Sequence, residues 1–100
     1  MPQFRSFREF YPYYLAEHSD RACRRLHFAG STLVLGTIGL AFYLRDWRWL
    51  VAAPVLGYGF AWVGHFFFEH NRPATFHAPL YSLMGDWRMW AEMLVGRIRF

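Results

Sequence analysis

The sequence predicts an all-α membrane protein, in which a hairpin of two transmembrane helices is flanked by N- and C-terminal amphipathic helices. Two long runs without Asp, Glu, Lys or Arg lead to this prediction: residues 26–44 and residues 49–68. At a rise of about 1.5 Å per residue, a helical run of this length covers roughly 30 Å, the thickness of the hydrocarbon core of a bilayer. Only residues 45–48 separate the runs, so their connection must be a tight turn. We therefore predict a single membrane domain over residues 1–100.

The overall composition agrees with a chain that faces lipid. Hydrophobic residues make up 55% of the chain and aromatic residues 22%, whereas charged residues make up only 18%. The alternative is a buried hairpin inside a water-soluble all-α protein. A chain of 100 residues leaves little additional sequence to wrap two such helices, which argues against this alternative.

The basic residues indicate the orientation of the hairpin. All eleven are arginine, and the formal net charge is +4. They are scattered between apolar runs and form no single stripe, which argues against nucleic-acid binding and favours anionic lipid headgroups or an acidic substrate. Nine lie outside the hairpin turn and two lie within it. The positive-inside rule then places both termini in the cytoplasm, in what we predict to be a bacterial inner membrane.

Amphipathic segments flank the two runs. Before the hairpin, aromatic residues and a histidine recur every three or four positions, at Phe4, Phe7, Tyr11, Tyr14 and His18. Pro12 interrupts this pattern, so the helix either kinks there or begins anew. After the hairpin, Pro79 can open a last helix that has apolar residues on one side, at Leu80, Leu83, Met84, Trp87, Ala91 and Leu94. Both segments are typical of helices that lie at a membrane interface.

The second run has a face of small residues. Ala53, Gly57 and Ala61 recur every four positions, and Gly64 and His65 extend the same side. Small residues at this spacing allow two helix backbones to approach closely in lipid. The partner is either the first run or a neighbouring subunit, and the second option predicts a homodimer.

The five histidines are predicted to lie in one layer. His27 is at the beginning of the first run and His65 is near the end of the second, so a hairpin places them at the same depth. His18 precedes the first run, and His70 and His77 follow the second. A single histidine at an interface is usually an anchor. Ionisable groups at membrane depth are costly, however, and five histidines in one layer predict a metal site on the cytoplasmic side.

The residue types of this layer suggest the metal. His65 and Glu69 are four residues apart, so they share a helical face and can bind one ion together. Imidazole and carboxylate without thiolate suit iron, and zinc, manganese or copper remain open. Cys23 has no second cysteine to pair with, and we interpret it as a small buried residue. Arg72 can bind a carboxylate bidentately or contact a lipid headgroup, and Arg25 is a second candidate for binding the substrate.

Two segments resemble a known family. FYPYYLAEHSDRACRRLHFAGS, with its E-H-S and L-H-x-x-G elements, resembles the opening of the Mpo1-like proteins, and WVGHFFFEHNRPATF resembles their second signature, G-H-x-x-F-E-x-x-R-P-A. The resemblance covers most of the chain. It implies a membrane protein that acts as an iron(II)-dependent dioxygenase, using O2 to shorten 2-hydroxy fatty acids by one carbon.

Carried over to the matching positions, the resemblance also implies functional residues. His18, His27 and His65 match the motifs as metal ligands and, together with the nearby Glu69, as catalytic residues. His70 and His77 are further candidate metal ligands from their place in the histidine layer, and the resemblance does not include them.

Two other functions fit the same residues. A haem-binding membrane electron carrier would use His27 and His65 as axial ligands at one depth. A non-enzymatic membrane scaffold would have histidines that only face the interface.

Overall fold

The computed structural model describes residues 4–76 and 78–99, and within these ranges the chain is helical, as predicted. The four α-helices are α1 (Phe7–Ala16), α2 (Arg21–Leu44), α3 (Trp49–Val63) and α4 (Pro79–Leu94). α3 continues directly as a π-helix over Gly64–Glu69, and a short 3-10 helix over Ala74–Phe76 precedes α4.

α2 and α3 form the predicted hairpin. The segments Arg21–Leu44 and Trp49–Glu69 are both long and apolar enough to cross a membrane. α2 begins at Arg21 rather than at residue 26, because the side chain of Asp20 accepts a hydrogen bond from the Cys23 N–H and caps the helix there. Arg45, in the left-handed region with φ 53°, ends α2 and starts the turn.

The outer surface of the hairpin is exposed. In the most apolar part of α2, only 22% of the residues are buried. In the most apolar part of α3 and its π-helix, only 17% are buried. Val55, in the middle of α3, is 68% exposed. A core helix of a water-soluble protein is mostly buried, so this exposure favours a surface that lipid covers.

The two long helices approach closely through their small residues. A Cβ added at Gly30 in α2 would lie 2.9 Å from the Cβ of Phe60 and 3.3 Å from the carbonyl oxygen of Leu56. A Cβ added at Gly57 in α3 would lie 3.1 Å from the side chain of Val34. The small-residue face of α3 therefore packs on α2, which is one of the two partners that the sequence left open.

The two shorter helices pack against each other beside the hairpin. Pro12 lies inside α1 and does not end it. A core of aromatic and methionine side chains joins the two helices, formed by Phe10, Tyr11, Tyr14, Met89 and Met93. The apolar side predicted for α4 faces outward, where Leu80 is 68% exposed. This outward face is the one expected of a helix that lies on a membrane surface.

Candidate metal centre

Three buried histidine rings meet where α1 ends, α2 begins and α3 ends. The ring centroid of His18 lies 4.4 Å from those of His27 and His65, and the latter two are 5.0 Å apart. Their exposed fractions are 1%, 5% and 2%. The structure thus brings together three of the five histidines that the sequence singled out.

Backbone carbonyls fix the orientation of two of the rings. Nδ1 of His18 lies 2.6 Å from the carbonyl oxygen of Tyr14, and Nδ1 of His27 lies 3.0 Å from that of Cys23. A carbonyl oxygen can only accept a hydrogen bond, so in each ring Nδ1 carries the hydrogen. In the neutral ring Nε2 then keeps its lone pair, which is free to bind a metal.

A side-chain amide does the same for the third ring. Nδ1 of His65 lies 2.6 Å from Oδ1 of Asn71. The amide nitrogen of Asn71 donates to the backbone carbonyl and to the carboxylate of Glu17, at 3.1 Å each. Because the nitrogen of Asn71 is engaged in this way, its oxygen must be the atom that faces His65. His65 therefore donates from Nδ1 and also keeps a lone pair on Nε2.

The spacing of the free nitrogens suits one ion. Nε2 of His18 and Nε2 of His27 are 3.0 Å apart. Two nitrogens without hydrogens cannot form a hydrogen bond with each other. A cation bound between them would offset the repulsion between their lone pairs. Two nitrogens bound at right angles, about 2.1 Å from one metal ion, would lie about 3.0 Å apart. The residues present therefore fit a bound metal.

Burial keeps His18 in the form that binds metals. Removal from water lowers the pKa of His18 well below its usual range, and the neighbouring rings of His27 and His65 lower it further. His18 is therefore neutral at pH 7, and neutral imidazole is the ligand form.

Cys23 belongs to the same group. Ligand atoms of Cys23 and the three histidines all lie within 4.8 Å of one another. Sγ of Cys23 is 3.7 Å from Nδ1 of His27, and the two residues are four apart on one face of α2. The cysteine is buried, as predicted, but the sequence interpretation did not place it at the metal centre. Its spacing from His27 is the signal that indicates this position.

The structure does not bring Glu69 into the group. Its carboxylate accepts hydrogen bonds from the backbone N–H of Asp20 and from the hydroxyl of Ser19, the latter at 3.3 Å. A carboxylate is stabilised beside the N-terminus of a helix, and Glu69 lies beside that of α2. It thereby ties the end of the π-helix to the turn that follows His18.

The remaining predicted residues lie elsewhere or outside the described part of the chain. His70 is exposed and ends the π-helix, with a left-handed φ of 58°. Arg72 is exposed, and its guanidinium lies 5.5 Å from the centre of the Phe76 ring. Arg25 lies on the exposed side of α2. His77 falls outside the described residues.

The geometry argues against the haem alternative. Axial ligands lie on opposite sides of a porphyrin plane. The rings of His27 and His65 are only 5.0 Å apart, and His18 lies 4.4 Å from each of them. No space remains between His27 and His65 for a planar macrocycle.

An apolar groove of about 330 Å³ adjoins the metal centre. It lies between α2, α3 and α4, and His27 is one of its lining residues. A ligand at this end of the groove would therefore lie against one of the three histidines.

The fold is thus a helical hairpin long enough to cross a membrane, with a buried three-histidine group at one end that could hold a metal ion. The family model described as 2-hydroxy-palmitic acid dioxygenase Mpo1-like matches residues 4–98. The chain therefore belongs to the Mpo1-like family, and the resemblance seen in its two motifs is confirmed. No curated protein and no solved structure matches the chain.

Proposed function

We propose that this protein is an iron(II)-dependent dioxygenase of a bacterial inner membrane, which shortens 2-hydroxy fatty acids by one carbon. The main support is a group of three buried histidines whose possible ligand atoms lie within 4.8 Å of one another, in a chain of the family described as 2-hydroxy-palmitic acid dioxygenase Mpo1-like. With O2 as the oxidant the reaction balances: a 2-hydroxy acid and O2 give the acid one carbon shorter, CO2 and water.

His18, His27 and His65 would hold the iron, with the Cys23 thiol nearby. Bound iron would supply O2 reduction and a Lewis acid for the hydroxyl and carboxylate of the substrate. The protein contributes orientation, since each Nδ1–H is held by an acceptor so that Nε2 points inward. Burial of the three rings excludes bulk water from the centre.

Other residues would act on the substrate or on the shape of the site. Arg72 and Arg25 lie at the surface and remain our candidates for attracting the carboxylate of the acid. Glu69 would act as a positioning residue, because it holds the turn between His18 and α2. His77 stays a candidate ligand, whereas His70 is exposed, lies outside the three-histidine group and would not be needed to hold the metal.

The location at a membrane rests on the two exposed apolar helices and on the outward face of α4. A substrate with a long acyl chain dissolves in lipid, so an enzyme at the interface meets it where it is concentrated. Self-association of the hairpin stays a prediction, since the small-residue face of α3 is already packed on α2.

The test is turnover by the purified protein in detergent, loaded with Fe(II) under anaerobic conditions and then exposed to O2. We expect oxygen consumption and the acid one carbon shorter from a long-chain 2-hydroxy acid, and little product from the acid without the hydroxyl. The His65→Ala variant serves as the inactive control.

Three results would count against the proposal. Equal turnover of hydroxylated and plain acids would contradict recognition through the 2-hydroxyl. Bound iron without turnover of either acid would remove the proposed reaction. A preparation that binds no metal would favour the scaffold.

A further inference from the structure

The groove beside the metal centre runs along the hairpin. Its wall on α2 consists of residues three or four positions apart, His27, Ser31, Val34 and Ile38. At about 1.5 Å per residue, His27 and Ile38 are roughly 16 Å apart along the helix. The groove therefore extends from the metal centre far towards the hairpin turn.

The wall on α3 includes the small residues Ala53, Gly57 and Ala61, so the groove follows the line along which α2 and α3 meet. On the third side α4 contributes Leu83, Asp86 and Trp87. α4 covers the end of the groove that is near the histidines, because Asp86 accepts a hydrogen bond from Tyr14 and Trp90 stacks on Phe28, the neighbour of His27.

The two ends of the groove differ in polarity. Asp86 accepts a hydrogen bond from the hydroxyl of Tyr14, whose ring stacks on His18 with 4.0 Å between centroids. The side chain of Tyr14 therefore links Asp86 to His18 in the metal centre. Burial raises the pKa of Asp86 to about 7, so its charge repels an acidic ligand less than an ordinary aspartate would. Towards the hairpin turn the lining is apolar, with Ile38, Ala53 and Pro54.

We propose that this groove binds the acyl chain of a free 2-hydroxy fatty acid, with its carboxyl end at the histidines, and that Ile38 and Ala53 limit the chain length. The identity of the head group rests on the proposed function. The orientation and the chain-length limit rest on the groove itself, because its polar end is the metal centre and its far end is apolar.

The position of the groove distinguishes a free acid from a membrane phospholipid. A bilayer lipid has a bulky headgroup and would have to place it among buried histidines. A free acid has a head small enough to reach them, and its carboxylate and hydroxyl are metal-binding groups. The free acid is therefore the occupant that the groove favours.

Photo-crosslinking with the full-length, Fe(II)-loaded protein under anaerobic conditions tests the orientation. Two 2-hydroxy fatty acids would carry a diazirine, one near the carboxyl and the other near the methyl end. We expect the first to label the region of Ser31 and Trp87, and the second to label Ile38 and Ala53, as located by mass spectrometry. Equal labelling of outward residues such as Val55 would show ordinary lipid contact and would overturn the proposal, as would a reversed order or preferential labelling by a phospholipid probe.

Substitution at the far end tests the chain-length limit. We expect Ala53→Phe to weaken binding of long-chain acids by roughly tenfold or more, through lost burial of about two methylene groups, and to leave shorter acids unaffected. Val55→Phe introduces the same side chain on the outer side of the same helix. It should change the binding of neither long-chain nor shorter acids. If Ala53→Phe lowers the helix content, Ile38→Phe tests the same limit from α2.

The outcomes separate this inference from the proposed reaction. Ordered labelling without turnover would support the groove and contradict the reaction. Turnover with unordered labelling, or with an unchanged chain-length preference in both far-end variants, would support the reaction and overturn the groove.

Discussion

Gly64 lies so close to Cys23 that no side chain fits between them. A Cβ added at Gly64 would be 2.9 Å from Sγ of Cys23 and 3.2 Å from its Cα. This contact brings the end of α3 against the beginning of α2, and it lets His65 lie near His27. The glycine in the G-H pair of the motif is thus explained by packing at the metal centre.

We expect Gly64→Ala to weaken metal binding, because the added methyl group must push His65 away from His27. A misplaced ligand should lower the metal affinity by roughly tenfold or more, and overpacking should destabilise the fold by about 1–3 kcal/mol. Gly59→Ala is the matched control, since an added Cβ there meets nothing within 4 Å. Titration of the metal-free proteins with Fe(II) or Co(II) measures the difference, and equal affinities would show that the close contact is irrelevant to the site.

Replacing a single histidine of the centre should remove bound metal and leave the helices intact. We expect this of His18→Ala, His27→Ala and His65→Ala, since each offers one ring nitrogen to the same group. His70→Asn is the control, because His70 is exposed and asparagine tolerates its left-handed backbone. Metal analysis and circular dichroism check the two properties. Full metal occupancy in His65→Ala would contradict our assignment of the ligands.

Asn71 should act on the metal through His65. Asn71→Ala removes the acceptor of the His65 Nδ1–H, which frees the ring to turn. Loss of such an outer partner typically lowers metal affinity by about 10- to 100-fold. Ser19→Ala, at the neighbouring turn, removes a hydroxyl that contacts Glu69 rather than a ligand. If the affinity of Asn71→Ala matches that of Ser19→Ala, Asn71 only shapes the turn.

Asp86 should make the stability of the fold depend on pH. Burial raises its pKa from 3.8 to about 7. Between these values the folded protein retains a proton that the unfolded chain has released, so the free energy of unfolding falls as the pH rises. Above neutral pH, this one group lowers the free energy of unfolding by at most roughly 4 kcal/mol relative to its value at low pH.

Asp86→Asn should remove this contribution, since the amide oxygen can still accept from Tyr14 and carries no charge. Thermal unfolding in detergent between pH 4 and pH 8 measures it. We expect the variant to gain stability relative to the parent as the pH rises. Parallel pH profiles of the two proteins would contradict the raised pKa of Asp86.

The orientation of the hairpin can be tested by cysteine labelling in intact bacteria. Trp47→Cys places a thiol in the turn, and Arg8→Cys places one on exposed α1. The native Cys23 is fully buried and should not react. An impermeant maleimide should label position 47 only, since the arginines favour a cytoplasmic α1. Labelling of both positions from one side would contradict the two-span topology.

The sequence predicted the hairpin well because the relevant signal is local. Uncharged runs and a short spacer fix two helices and their connection, and a hairpin then places His27 and His65 at one depth. The aromatic residues that recur every three or four positions in α1, and the proline at position 79, likewise each indicate a single helix. No contact across the fold is needed for any of these inferences.

The site could be predicted only in part, because its remaining contacts are between distant residues. Nothing local shows that Gly64 touches Cys23, or that Asn71 reaches both His65 and Glu17. The spacing of Glu69 from His65 predicts that the two share an ion, whereas in the structure the nearby N-terminus of α2 is the partner of the Glu69 carboxylate. Such a competition depends on where the helices meet, which a periodic pattern does not contain.

The π-helix at the end of α3 makes the length of that segment a functional property. Its hydrogen bond from the His70 N–H reaches back to the carbonyl of His65, one residue further than in an α-helix. The segment is equivalent to an α-helix with a single-residue insertion, and its residues Phe66–Phe68 are exposed. A relative lacking one residue here would turn Asn71 by about 100° relative to His65 and would need another acceptor for the ring. Insertions and deletions in this segment should therefore mark which members of the family share this arrangement of the metal centre.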